Sequence, residues 1–250
     1  MHEASLHPEN AFITLTYDDD KLPWDLSLNK SHFQNFMKRL RKKFSNKTIR
    51  FYQAGEYGEA TPDNDFVARP HYHAILFNHQ FEDREIINER EGIVLYSSDT
   101  LSDIWGNGLC STGEVTFESA AYVARYVLKK ITGDQAEEHY ITTHPLTGET
   151  IELQPEYSTM SRRPGISADW FNTFKSDVYP KDSITVRGVP QNPPPYYDVL
   201  LERDDPDAIE ALKIARKRNA RKYLKDNTPE RLAARETVKK AQLSQLRRTL

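Results

Sequence analysis

His71 and His73 stand two positions apart in the apolar run PHYHAILF at residues 70–77. In a strand, residues i and i+2 share a face, so the run predicts two imidazoles side by side. Neutral imidazoles that close together can grip one divalent metal. A third ligand is expected from Glu56 in Ala54-Gly55-Glu56-Tyr57-Gly58, which a hairpin would bring beside the histidines, with Glu59 in reserve. Two imidazoles and one carboxylate leave positions on the metal for substrate oxygens or water. Some fifty residues on, AAYVARYVLKK at 120–130 puts Tyr122 and Tyr126 one helical turn apart, roughly 5–6 Å between Cβ atoms. Arg125, Lys129 and Lys130 lie near the same face. Keeping a tyrosine ionised at pH 7 costs about 4 kcal/mol, which nearby cations or a metal would lower. The chemistry this combination suggests is metal-assisted attack of a tyrosine on a phosphodiester, with Mg²⁺ or Mn²⁺ as the expected ion, although imidazoles could hold Zn²⁺ more tightly in vitro. Taken singly, the histidines could equally be satisfied on a sheet and the tyrosines could simply pack.

The elements that must position these groups follow from hydrophobic periodicity. FITLTY at 12–17 and IRFYQAGEY at 49–57 read as strands. Between them Ser31 opens a helix with Gln34 three residues on, and Phe33, Phe36, Met37, Leu40 and Phe44 form its apolar stripe. Its other face carries Lys38, Arg39, Arg41, Lys42 and Lys43. A loop over 58–69 returns the chain to the histidine strand. A short helix at 100–105 is stopped by Gly106 and Gly108, a strand is predicted at 115–117, and Ser119 is the expected N-cap of the tyrosine helix, which Thr132-Gly133 ends. A hairpin over 140–154 and a helix over 167–174 follow. This order predicts an α+β fold, one antiparallel sheet with helices packed on it. The predicted organisation is a first domain over 1–180, then a Pro-rich connection around 189–197 and a basic helical region within 181–250.

The chain has 250 residues, 38 % hydrophobic and 11 % aromatic, enough for a sizeable core. No membrane span or secretory signal is legible, and Cys110 is the single cysteine, which excludes an internal disulfide and fits a reducing cytoplasm. Net charge is −3, but residues 210–250 hold thirteen Lys/Arg against four Asp/Glu, a net of +9, while the rest stands at −12. A basic C-terminal region of this kind suits a polyanion or a solvated helix face. Lys38 to Lys43 and Arg162-Arg163 are candidate DNA-backbone contacts. Tyr52, Tyr57, Tyr72 and Trp105 could stack bases or pack in the core. There is no GxxxxGK[ST] run, so an ATP-driven motor is not expected.

The segments FITLTY (12–17), QAGEYG (53–58), RPHYHAILF (69–77), YVARYVLKK (122–130) and SRRPGI (161–166) together resemble the HUH endonuclease superfamily, in particular the replication initiators of gokushovirus-like microviruses. The resemblance implies an RRM-like antiparallel sheet, His71, His73 and Glu56 as metal ligands, and Tyr122 and Tyr126 as nucleophiles. It further implies nicking and rejoining of single-stranded DNA at a replication origin through a 5′-phosphotyrosine link. A host helicase and polymerase would then be the partners, in the host cell cytoplasm. The family pattern places Lys three residues after a catalytic tyrosine. Lys129 follows Tyr126 in this way, but Arg125 follows Tyr122, and arginine cannot exchange a proton at ordinary pH, so the two tyrosines are expected to be unequal. Relatives often carry an upstream segment with paired cysteines, which would precede residue 1. Competing readings are a single-strand transposase or relaxase, a metal hydrolase or Fe(II) oxygenase using the His/His/Glu set, and a non-catalytic RRM-like binder.

Overall fold

A central strand, apolar at nearly every position, must be covered on both faces, and PHYHAILF is that strand. In the computed structural model, which describes residues 1–58, 69–90, 92–125, 130–144 and 147–245, it forms β3 (Pro70–Phe77). Its neighbours are β1 (Asn10–Leu15) and β2 (Arg50–Tyr57), both antiparallel to it. With β4 (Glu85–Arg90), β5 (Ile93–Ser97), β6 (Cys110–Gly113) and β9 (Tyr157–Met160) they make a seven-stranded antiparallel sheet in the order β4-β5-β6-β1-β3-β2-β9. β7 (Ile141–Thr143) and β8 (Thr150–Glu152) pair separately, within the hairpin expected over 140–154.

Strand alternation divides the sheet into two chemically different faces. Ala11, Ile13 and Leu15 of β1 lie opposite Leu76, Ala74 and Tyr72 of β3, and these six make the apolar face. Packed on it are Phe33, Phe36, Met37 and Leu40 of α1 (Lys30–Lys43) and Leu101, Ile104 and Trp105 of α2 (Asp99–Trp105), all buried. The α1 stripe is the one the sequence predicts. The odd-numbered residues of β3, His71 and His73 among them, therefore face the other side, which α3 (Phe117–Arg125) approaches through contacts with β2 and β3.

Local chemistry moves several boundaries. Asn29, not Ser31, caps α1: its side-chain oxygen accepts from the Ser31 N–H at 3.0 Å. The strand predicted at 115–117 is instead β6, a polar segment drawn into the sheet by Thr112, which is fully buried and donates to the Phe12 carbonyl. Phe117 begins α3, and Thr116 and Ser119 form a reciprocal cap, each backbone N–H held by the other's hydroxyl at 2.9 and 3.1 Å. Thr116 thus takes the capping place expected for Ser119. α2 ends at Gly106, whose φ of +66° is the left-handed cap conformation. At Gly108 (φ +145°) the chain passes so close to the backbone of Tyr17 and Asp18 that a Cβ would not fit.

By internal contacts the chain divides into two compact units, Met1–Ile166 and Ser167–Leu250. The helix expected at 167–174 is α5 (Ala168–Val178) and opens the second unit, whereas α4 (Gln135–Tyr140) lies in the first. Residues 189–197, read from sequence as a connection, form β11 (Val189–Gln191), which pairs with β10 (Ile184–Val186), and the start of α6 (Pro195–Asp204). α7 (Pro206–Arg221) and α8 (Pro229–Ser244) complete this helical region. Each of α6, α7 and α8 has proline in its first turn, where the missing N–H costs nothing. The core of the unit is Phe171, Val178, Tyr197, Leu200, Leu201 and Ile209, braced by Arg216, whose guanidinium bridges Asp182 and Asp198. Among the described residues no helix is long and apolar enough to cross a membrane.

Candidate metal centre

Register brings the three candidate ligands together. Glu56 of β2 sits directly across from His71 of β3, and residues so opposed share a face. Ala54 faces His73 in the same ladder, so β2 contributes only a methyl beside that ring. One oxygen of Glu56, Oε1, lies 2.8 Å from His71 Nε2 and 3.1 Å from His73 Nε2. One ligand atom from each residue falls within 4.8 Å of the others, a group that could hold a metal ion.

The far side of each ring is also held. His71 Nδ1 is 3.0 Å from the Arg69 carbonyl, which can only accept, so Nδ1 carries the proton and the lone pair of the neutral ring is on Nε2. His73 Nδ1 is 2.9 Å from the Thr14 hydroxyl, its cross-strand neighbour on β1. Metal-ligating histidines are commonly oriented by such contacts of the second ring nitrogen, and here both point Nε2 at Glu56. The two nitrogens and one carboxylate oxygen suit a divalent cation, and the donor set does not choose among Mg²⁺, Mn²⁺ and Zn²⁺. Glu56 is only 2 % exposed. Burial alone would raise its pKa, but hydrogen bonds from His71 and His73, with their charge, outweigh burial and hold the carboxyl at about 2. It is an anion throughout the working range, as a ligand must be.

Tyr122 is the residue of α3 that reaches this site. It is buried, and its ring centroid lies 5.1 Å from that of His73, edge to face, and 6.4 Å from that of Phe12. Arg125, half-buried, is in the last turn of α3, where a cation complements the helix dipole. Tyr126 and Lys129, like the reserve ligand Glu59, lie outside the described residues; residues 130–132 are not helical.

The candidate DNA contacts are not gathered at this centre. Lys38, Arg39, Arg41, Lys42 and Lys43 belong to α1, on the opposite face of the sheet. Two of them also hold the fold together. Arg39 donates to the carbonyls of Ile104 and Trp105 at 2.7 and 2.8 Å, completing the end of α2, and Arg41 donates to the Ile49 carbonyl and covers the Phe51 ring. Arg162 and Arg163 are exposed in the turn after β9, near the Arg50 end of β2 and away from Glu56. Of the aromatic candidates, Tyr72 and Trp105 are fully buried against α1, Tyr57 is half-buried with its hydroxyl bonded to the Leu28 N–H and the Gln154 carbonyl, and Tyr52 is half-buried on the metal-centre face. Sequence reasoning missed Thr14 and the Arg69 carbonyl. Only the polar residue recurring in FITLTY hinted at the first.

Comparison with known proteins fits this geometry. Residues 10–131, the stretch from β1 through α3 that holds Thr14, Glu56, His71, His73 and Tyr122, match the family model for replication-associated proteins of the ORF2 type. The chain is 31 % identical over 229 residues to replication-associated protein ORF2 of Spiroplasma virus 4, covering 86 % of this chain and 65 % of that protein. It is 29 % identical over 216 residues to replication-associated protein VP4 of Bdellovibrio phage phiMH2K, covering 82 % of this chain and 62 % of that protein. With replication-associated protein ORF4 of Chlamydia phage 1 it shares 30 % identity over 209 residues, 80 % of this chain and 48 % of that protein. The chain thus spans less than two thirds of these relatives' own lengths. No solved structure gives a significant match. Through residues 10–131 the chain belongs to the ORF2-type replication-associated protein family, and it is homologous to the replication-associated proteins of Spiroplasma, Chlamydia and Bdellovibrio microviruses.

Proposed function

We propose that this protein initiates rolling-circle replication of a single-stranded DNA phage genome by nicking and rejoining DNA through a 5′-phosphotyrosine link. The observation that carries the reading is the convergence of His71 Nε2 and His73 Nε2 on one Glu56 oxygen, with the Tyr122 ring over His73. The antiparallel sheet with the histidine pair on its central strand is the arrangement expected of an RRM-like HUH endonuclease. Mg²⁺ or Mn²⁺ held by Glu56, His71 and His73 would supply Lewis-acid polarisation of the scissile phosphate.

The residues of the chain do the rest. The Tyr122 oxygen attacks phosphorus, a new P–O bond to tyrosine forms, and the P–O3′ bond breaks. The proton lost by tyrosine ends, through solvent, on the departing 3′ oxygen, leaving a 3′-OH primer. Because one phosphodiester replaces another, the step is reversible and can reseal the strand. Arg125 supplies fixed positive charge without proton transfer. Tyr126, with Lys129 three residues on, is assigned the second transfer on the strength of the family pattern. The substrate is single-stranded at the cut, and a host helicase and polymerase in the host cytoplasm would open and extend the DNA.

The test is incubation with an oligonucleotide library labelled at the 5′ or the 3′ end, with Mn²⁺, followed by a denaturing gel. A protein-linked band carrying only the 3′-labelled fragment, lost on adding chelator, is the expected result. Cleavage without a linked band would assign the nucleophile to water instead.

A further inference from the structure

The end of α7 and the residues after it read Lys217-Arg218-Asn219-Ala220-Arg221-Lys222-Tyr223-Leu224-Lys225, with five cations in nine positions and no acid. All nine residues are exposed. Earlier cations of the same helix are neutralised: Arg216 by Asp182 and Asp198, and Lys213 by Glu202. Among the described residues Lys217, Arg218, Arg221 and Lys225 make no ion pair, and Lys222 reaches only the Asn219 side chain. Lys217 and Arg221, like Arg218 and Lys222, are four residues apart, so like charges face one another along the helix. Such repulsion opposes folding, and a polyanion laid along the ridge relieves it.

One further feature narrows the polyanion. Tyr223, between these cations, is 60 % exposed and borders a cleft that Lys181, Asn192 and Asn219 also line. An exposed aromatic among cations is the pairing that binds single strands, where cations track phosphates and the ring stacks on an unpaired base. A duplex keeps its bases stacked inside and gives the ring nothing to meet.

We infer that residues 217–225 bind the backbone of single-stranded DNA, with Tyr223 stacking on a base, as a contact carried by the second unit rather than by the sheet. This deepens the proposed function and rests on single-stranded DNA being the substrate. The basic face of α1 is a weaker candidate, because two of its five cations are occupied by backbone carbonyls.

The test uses the full chain in chelator, so that no cutting occurs, and follows the anisotropy of a labelled oligo-dT of about 30 nucleotides between about 50 and 200 mM salt. The variants are the combined Lys217→Gln, Arg221→Gln and Lys225→Gln, and separately Tyr223→Ala, with helicity checked by circular dichroism. Removing three phosphate contacts should make the slope of log K against log salt shallower by about 2. Tyr223→Ala should weaken single-strand binding roughly 10-fold, leaving the slope and duplex binding unchanged. An unchanged slope in the triple variant overturns the inference, as does an equal loss on duplex with no effect of Tyr223→Ala. Both variants should still form the linked band at saturating DNA. If the wild type forms none, the nicking reading fails, while the binding result still decides the ridge.

Discussion

The Thr14 hydroxyl lies 2.9 Å from Nδ1 of His73, across the β1–β3 ladder, and turns the other nitrogen of the ring toward Glu56. Thr14→Val keeps the shape of the side chain and removes this contact. Affinity for Mn²⁺, measured by titration calorimetry, should fall roughly 10- to 100-fold, while Thr14→Ser should retain it. Equal affinities in all three proteins would remove Thr14 from the account.

Arg39 separates structure from DNA contact. Its guanidinium closes the end of α2 through the carbonyls of Ile104 and Trp105. Arg39→Ala should therefore lower unfolding stability by about 1 kcal/mol, a figure kept small because the side chain is largely exposed. The salt slope of DNA binding should not change. A shallower slope at undiminished stability would return Arg39 to the DNA interface.

These two residues also mark where sequence stops being informative. The histidine strand, the α1 stripe and the pairing of 49–57 with 70–77 were legible because period-2 and period-3.6 patterns report burial directly. Glu56 followed, since a hairpin of those two strands can bring its carboxylate beside the histidines. The β4–β5 hairpin was not seen, because every residue of β4 is exposed and no alternation marks it. β6 was missed because Cys110-Ser111-Thr112-Gly113 is polar, and only its place beside β1 explains the buried threonine. Thr14 could not be assigned without the β1–β3 register. The role of Arg39 depends on where α2 ends relative to α1, a tertiary fact.

His79 gives the acid limb of stability a molecular cause. Its ring is fully buried between Phe44 and Phe81, with centroids 4.4 and 4.7 Å away. Burial first, then the charge of Lys47, pulls its pKa down to about 4, with Glu9 opposing. Below about pH 6.5 the unfolded chain takes up a proton that the folded chain refuses until about pH 4, so stability falls across that window as pH drops. At ~1.36 kcal/mol per unit the loss is roughly 3 kcal/mol. Urea unfolding in chelator should show His79→Leu losing much less stability than the wild type between neutral pH and about pH 4. Parallel pH profiles would put the acid sensitivity elsewhere.

The central claim is that a tyrosine of the α3 segment becomes covalently joined to DNA at a metal centre made by Glu56, His71 and His73. Trypsin cuts after Arg125 and so separates Tyr122 from Tyr126. The decisive measurement is mass spectrometry of tryptic peptides after reaction with cleavable single-stranded DNA and Mn²⁺ and then exhaustive nuclease digestion, for the wild type, Tyr122→Phe and His73→Ala. The account predicts a residual 5′-phosphonucleotide on the peptide ending at Arg125, absent from Tyr122→Phe, and no adduct on any peptide of His73→Ala. DNA cut to completion with unmodified tyrosine peptides, or an adduct that survives in His73→Ala, would contradict it.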